Sequence, residues 1–457
     1  MADDDSAWVD FGQKVDLCVR LRDVLVNYPE GALLKEMVQN ADDAGASVFK
    51  VVLDLRTHAS GSLSFPGTAA FQGPALLTYN NAVFTDTDLE SIQHVGASRK
   101  TDSNARAKTG RFGVGFCSCY HVTDLPSFLS RRFLVVLDPH CRNLPNANHN
   151  EPGKMVDFTR PGLVERYTDQ FEPYRAFGCD LRSEFDGTIF RLPLRTEAQA
   201  EESRIAKRPC GPTEAETLVR EFVEQLPELC LFLTHIDTVE VSLWRPGEPE
   251  PERLCRLDVQ DEATRRAPER KHLHRLVAAA RNDLGALKQV ESCTRLAVSH
   301  KRGVGEGTGC SGHWLVVQAM GGGRALELTE DPLAKAHGLQ PLPWSGVAAL
   351  VGSDGEDGSA TDVAPCAGKP YCLLPLNSLT GLPVHINGFF ELSSNRRDIW
   401  YGDDLVGGGK LRAEWNRVLL EDVAAPCYVR LLSEAREVMG GSDAYYGLWP
   451  QQRTAEP

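Results

Sequence analysis

Residues 33–46, LLKEMVQNADDAGA, constrain the fold of this chain more than any other stretch. On a helical wheel at about 100° per residue, Leu33, Met37, Ala41 and Ala44 fall on one side with Leu34 at its margin, and this stripe faces a core. Lys35, Gln39 and Asp42 point the opposite way. Glu36, Asn40 and Asp43, spaced i, i+4 and i+7, project within an arc of about 60° that borders the apolar stripe. Unpaired carboxylates in such a half-buried place are costly. Either a cation, a metal, ordered water or a ligand compensates them, or they form the salt-bridged edge of an ordinary surface helix.

With 457 residues, 42% of them hydrophobic, the chain can bury a sizeable core spread over two or three domains. A net charge of -14 argues against broad nucleic-acid binding or attachment to an anionic membrane. No apolar run reaches the roughly eighteen residues that span a bilayer, and "MADDDSAW" lacks the basic and apolar regions of a secretory signal. The 13 cysteines follow neither a zinc spacing nor a disulfide framework, so they read as apolar filler in a reducing, cytoplasmic setting.

Residues 15–28 and 32–45 read as helices, and "VFKVVLDLR", "GPALLTYNN", "RRFLVVLDP" and "GTIFRLPL" as strands of one sheet, with a helix begun near Thr85. Helices followed by interleaved strands give an α+β class. At "GPTEAETLVREFVEQLPELC" a helix opens on a capping box of Thr213 and Glu216 and ends at Pro227. The domain boundary falls there, separating residues 1–212 from 213–457. Beyond it, "DTVEVSLW", "HWLVVQAM", "VAALVG" and "YCLLPL" are strands between glycine-rich loops, and a closing helical stretch from Lys410 to Ala435 is interrupted by Pro426.

Two further stretches carry chemistry. "KTGRFGVGF" sets Gly110, Gly113 and Gly115 ahead of the helix-like run "FCSCYHVTD", where backbone N–H groups can approach an anion; a tight turn would use the same residues. In "DGTIFRLPL", Thr188 follows Gly187 at a strand start and offers a hydroxyl to a polar ligand or to the strand itself.

Taken in order, Glu36-x-x-x-Asn40-x-x-Asp43, Gly110-x-x-Gly113-x-Gly115 and Gly187-Thr188 resemble the Bergerat-type ATP-binding sandwich shared by gyrase, MutL, sensor histidine kinases and the ninety-kilodalton heat-shock chaperone. "RFGVGFCS" is most similar to the chaperone branch. Longer stretches, including "GPALLTYNNAVFTDTDLESIQHVG" and "GLPVHINGFFELSSNRRDIW", resemble the repeated regions of the sacsin family over nearly the whole chain. The resemblance implies that Glu36 polarises an attacking water, that the Asn40 amide oxygen ligates Mg²⁺, and that Asp43 supports this helix face. It also implies that Gly110, Gly113, Val114, Gly115 and Phe116 wrap the phosphates of ATP and that Thr188 orients the ligand.

Where the chaperone branch carries Asp-x-Gly-x-Gly, whose aspartate accepts the adenine amino group, this chain has Tyr79 to Val83, "YNNAV". The Asn80 or Asn81 carbonyl would then be the acceptor, a neutral and weaker one. The segment from Gly96 to Lys108 matches a short basic lid, in which Ser98 or Lys100 touches phosphate or else belongs to a solvated loop. Arg396 or Arg397, in the transducer-like second domain, is the basic residue for the γ-phosphate; paired arginines also serve as surface salt-bridge formers. The function implied is a chaperone-type module that binds Mg-ATP and hydrolyses it slowly. It would couple nucleotide state to protein clients or co-chaperones, among them the seventy-kilodalton heat-shock system, in protein quality control. A non-hydrolysing scaffold that retains the fold is the alternative.

Overall fold

The structure is a computed structural model and describes residues 16–27, 30–93, 115–261, 272–273, 275–277, 279–280, 290–302, 309–337, 339, 341–354, 360–361, 366–393, 398–402 and 408–450. Helices α1 (Leu17–Asn27) and α2 (Leu33–Asp43) lead into strand β1 (Val48–Asp54). On α2, Leu33, Leu34, Met37, Val38 and Ala41 are buried, as the apolar spacing requires. Gly45 ends the helix at φ +80°, a left-handed turn that suits glycine.

The remaining strands of the first half are β2 (Ala75–Asn80), β3 (Ser127–Arg131), β4 (Phe133–Leu137), β5 (Gly153–Asp157) and β6 (Phe185–Pro193). The second half supplies β7 (Thr238–Trp244), β8 (Glu252–Asp261), β9 (Val290–Arg302), β10 (Gly309–Met320), β11 (Trp344–Asp354), β12 (Ala360–Thr361), β13 (Pro370–Cys372), β14 (Leu374–Pro375) and β15 (His385–Gly388). Among the described residues these form one mixed sheet in the order β14-β13-β15-β11-β10-β9-β8-β7-β1-β2-β6-β3-β4-β5, with β12 beside β11. The two halves meet where β1 pairs with β7 in parallel, Val48 opposite Thr238. The fold is therefore α+β, with helices laid on an extensive sheet.

Residue 212, the expected boundary, begins helix α3 (Pro212–Leu229), which packs its buried face into the same core as α1 and α2. This helix starts differently from the expected capping box. Gly211 is its N-cap, Pro212 fills the first turn, and the Glu214 carboxylate accepts the Gly211 N–H at 3.0 Å. Pro227 does not end it; the helix runs on to Leu229 although the proline supplies no N–H to the carbonyl four residues before it.

Alternation along the strands divides the core between the two faces. Phe49, Val51, Leu76 and Phe190 face α1, α2 and α3, and Trp314 and Val316 of β10 join them. Leu315 and Val317 point the other way, toward α4 (Gly408–Leu419) and α5 (Ala425–Met439). Between α4 and α5 the chain makes a π turn, Leu420–Ala424, so Pro426 falls in the first turn of α5 instead of breaking a helix. No described helix is long and apolar enough to cross a membrane.

Candidate functional site

Helix α2 is anchored at its C-terminal end by the residue that helical periodicity placed on the solvated face. Asp42 is buried, and its carboxylate accepts the backbone N–H groups of Thr234 (3.0 Å), His235 (2.6 Å) and Ile236 (3.0 Å). Three such bonds compensate a buried charge and fix α2 to the chain entering β7. The Asn81 side-chain Oδ1, expected as an acceptor for a ligand, instead accepts Ser47 N–H at 2.9 Å and Val48 N–H at 3.0 Å, which ties the start of β1 to the end of β2. Asn81 thus serves the connection that holds α2 over the sheet.

The facing wall is the 3₁₀ segment Gly115–His121, shorter and tighter than the helix expected there. Ser118 Oγ donates to Gly115 O at 2.7 Å. The buried guanidinium of Arg195 donates to the carbonyls of Tyr120 (2.6 Å), His121 (2.8 Å) and Thr123 (3.1 Å), and pairs with Asp124 at 2.8 Å. Clamped this way, Gly115 comes directly against α2. A Cβ on it would lie 2.4 Å from Glu36 Oε2 and 3.8 Å from Asn40 Oδ1, so only glycine brings its backbone this close without displacing the carboxylate.

The floor is a row of the sheet on the same face: Phe49, Asn80, Thr188 and Ser130 stand opposite one another across β1, β2, β6 and β3. Thr188 Oγ1 donates to Ala82 O at 2.8 Å and lies 3.0 Å from Ser130 Oγ. Ser130 Oγ accepts Phe84 N–H at 3.0 Å, and Asn80 Oδ1 accepts Ala82 N–H at 3.0 Å. Tyr79 faces the other side, stacked on Phe177 with centroids 5.2 Å apart. Gly187 makes room for it, since a Cβ there would meet the Tyr79 ring at 2.6 Å. Phe116 packs on Phe190 at 5.8 Å beside this floor.

Burial pushes the Glu36 carboxyl up to about 7, and the negative charge of Asp43 adds to the shift. A carboxyl that changes charge near neutrality can take a proton from water or return it. The Asn40 amide oxygen, beside it and exposed, is a hard donor suited to Mg²⁺, which keeps most of its waters and bridges phosphates. Among the described residues no three His, Cys, Asp or Glu side chains form a metal cluster.

The structure therefore brings Glu36, Asn40, Asp43, Gly115 and Phe116 to one side of a sheet floor that presents Asn80 and Thr188. Ser98, Lys100, Gly110, Gly113, Val114, Arg396 and Arg397 lie outside the described residues. Sequence reasoning missed Asp42, Ser130 and Arg195. Ser130 could have been found from the alternation of "SFLSR"; nothing local marks Arg195 or Asp42 as buried anchors, because their partners come from elsewhere in the chain.

Residues 14–256, more than half of the chain, match the Sacsin domain family. Over 441 residues, 95% of its length, the chain is 32% identical to human Sacsin, and the match spans 9% of that protein.

Proposed function

The chain belongs to the Sacsin domain family, and from that premise we propose that it is a chaperone-type module of Bergerat fold that binds Mg-ATP and hydrolyses it slowly. The observation that carries this reading is the approach of Gly115 to Glu36 and Asn40: a backbone edge, a carboxyl near neutrality and an amide oxygen share one small volume. Polar groups of this kind on the border of an apolar helix are costly unless a ligand uses them. Phosphoryl transfer needs mainly positioning and charge neutralisation, and these residues are suited to supply both. Glu36 orients and deprotonates water, Asn40 holds magnesium, and backbone N–H groups near Gly115 receive phosphate oxygens. Bound magnesium would neutralise phosphate charge. Nucleotide state would bias the seam between β1 and β7, and through it the second half, toward or away from protein clients or co-chaperones in a cytoplasmic quality-control setting.

Calorimetric titration with Mg-ATP tests the reading. Saturable heat is expected, and its absence at millimolar nucleotide would leave a scaffold that keeps only the fold. Glu36→Ala should abolish turnover and spare binding, whereas Asn40→Ala should weaken the magnesium-dependent part. Equal turnover in Glu36→Ala and wild type would reject the catalytic role of Glu36.

A further inference from the structure

The face of the sheet turned away from α2 buries a cation. Residues alternate along β6, so Arg191 shares the face of Ile189, which packs with Phe171 and Tyr174, and points away from Phe190 and the α2 site. Arg191 is 5% exposed, yet among the described residues no carboxylate pairs with it. Its Nη2 donates to Gly73 O at 3.3 Å, and its Nε has no partner. Asp54, which lends some attraction, is already paired with Arg56 at 2.8 Å. A buried guanidinium in neutral surroundings is costly unless an anion meets it.

Arg191 lines a cavity together with the buried side chains of Thr68, Gln72, Ser127, Gln170 and Tyr174. The hydroxyls are engaged: Tyr174 donates to Ser127 Oγ at 2.6 Å, Ser127 Oγ to Arg191 O at 3.2 Å, and Thr68 Oγ1 to Phe65 O at 2.8 Å. Gln72 is half engaged. Its Nε2 donates to Asp169 O at 2.9 Å, a bond that only the NH₂ end of the amide can make, so Oε1 is fixed as a buried acceptor with no donor. The cavity thus offers a charged donor and a neutral acceptor. A bridging water would meet both hydrogen bonds and leave the charge unmatched, whereas sulfate or chloride would meet the charge and turn lone pairs on Gln72 Oε1. A protonated oxyanion does both. The centre of a water-sized sphere ranges over about 20 Å³ here, and the sphere sweeps out several times more, so a compact oxyanion fits and a larger ligand does not. We propose that Arg191 and Gln72 hold a protonated oxyanion, hydrogen phosphate or bicarbonate, whose oxygens accept from the guanidinium and whose hydroxyl donates to Gln72 Oε1. This site lies across the sheet from Glu36 and stands without the nucleotide reading.

Calorimetric titration of the whole chain with inorganic phosphate, bicarbonate and sulfate, near neutral pH in a constant chloride background, tests the assignment. Phosphate or bicarbonate should bind saturably, and whichever does names the ion; sulfate, which carries no hydroxyl, should bind at least about tenfold more weakly. Arg191→Met keeps an apolar side chain of similar length and should abolish the binding. Gln72→Met removes the acceptor that needs the hydroxyl, so the preference over sulfate should shrink to within about threefold. Sulfate binding as tightly as the protonated ions to wild type would overturn the selection, and binding that survives in folded Arg191→Met would place it elsewhere and overturn the site. Heat from none of the three would mean that water alone joins Arg191 to Gln72. Should either variant fail to fold, the wild-type ratio of phosphate or bicarbonate to sulfate decides.

Discussion

Two carboxylates on α2, Glu36 and Asp42, nearly two helical turns apart, face opposite electrostatic situations. Asp42 is met by three N–H groups, so Asp42→Ala would leave those donors buried and unpaired; a loss of about 2–4 kcal/mol is expected in denaturant unfolding, against almost none if the residue stood in solvent. Glu36 is instead held where its charge is disfavoured, with its carboxyl raised to about 7. Between about 4.5 and 7 the folded state then binds more protons than the unfolded one, and the contribution of Glu36 to stability falls as pH rises through that window. Glu36→Gln should match wild type near pH 4.5 and exceed it by about 2–3 kcal/mol at pH 8, measured by urea melts at the two values. A gain of the same size at both would mean that the carboxyl is not perturbed. With the catalytic role proposed for Glu36, stability and turnover would pull in opposite directions at this residue. Both carboxylates sit in one stretch of sequence, yet only Glu36 was legible there. Its place follows from 3.6-residue periodicity, while that of Asp42 depends on a loop 192 residues away.

Elements whose positions follow from their own residues were the readable ones: α2, β1, β2 and β6 carry their period in their apolar positions. Strands β8 and β9 were not readable, because "ERLCRLDVQD" and "VESCTRLAVSHKR" interleave charges that pair across the sheet, as Arg256 of β8 does with Glu240 of β7. The 3₁₀ segment Gly115–His121 is a third case, since its shape is imposed from outside by Arg195. Arg195→Met would strip the buried Asp124 carboxylate of its guanidinium partner and free the carbonyls of Tyr120, His121, Thr123 and Arg208; a cost of about 3–5 kcal/mol is expected. Adding Asp124→Leu should recover part of that loss. The cycle checks whether the guanidinium acts through Asp124 or through the backbone. If the double variant is no more stable than Arg195→Met, the carbonyl bonds dominate, and Gly115 should lose its approach to Glu36 in either protein.

Over the whole molecule, a single sheet carries the connection between the halves, and α3 fastens it from one face. Lys369, at the entry to β13, pairs with Glu228 of α3 at 2.7 Å, and Tyr371 donates from its hydroxyl to Glu228 O at 3.3 Å. His385 of β15 completes this junction, buried between Trp314 and Tyr371, with its Nδ1 accepting Lys369 N–H at 3.1 Å. Burial pushes the imidazole down to about 4, against the pull of Glu228 and with the help of Lys369. Because the folded value lies below that of the unfolded chain, His385 contributes stability above about 6.5 that is lost as pH falls toward about 4. Protonation would also turn the acceptor that holds Lys369 N–H into a donor, so acid should open this seam before it reaches the α2 site. His385→Asn keeps a carbonyl oxygen for that N–H and cannot take up a proton. It starts less stable at pH 7, having lost ring packing against Trp314 and Tyr371, but between pH 7 and 4.5 it should lose about 2–3 kcal/mol less than wild type. Parallel pH curves for the two proteins would show that the acid sensitivity of the fold arises elsewhere.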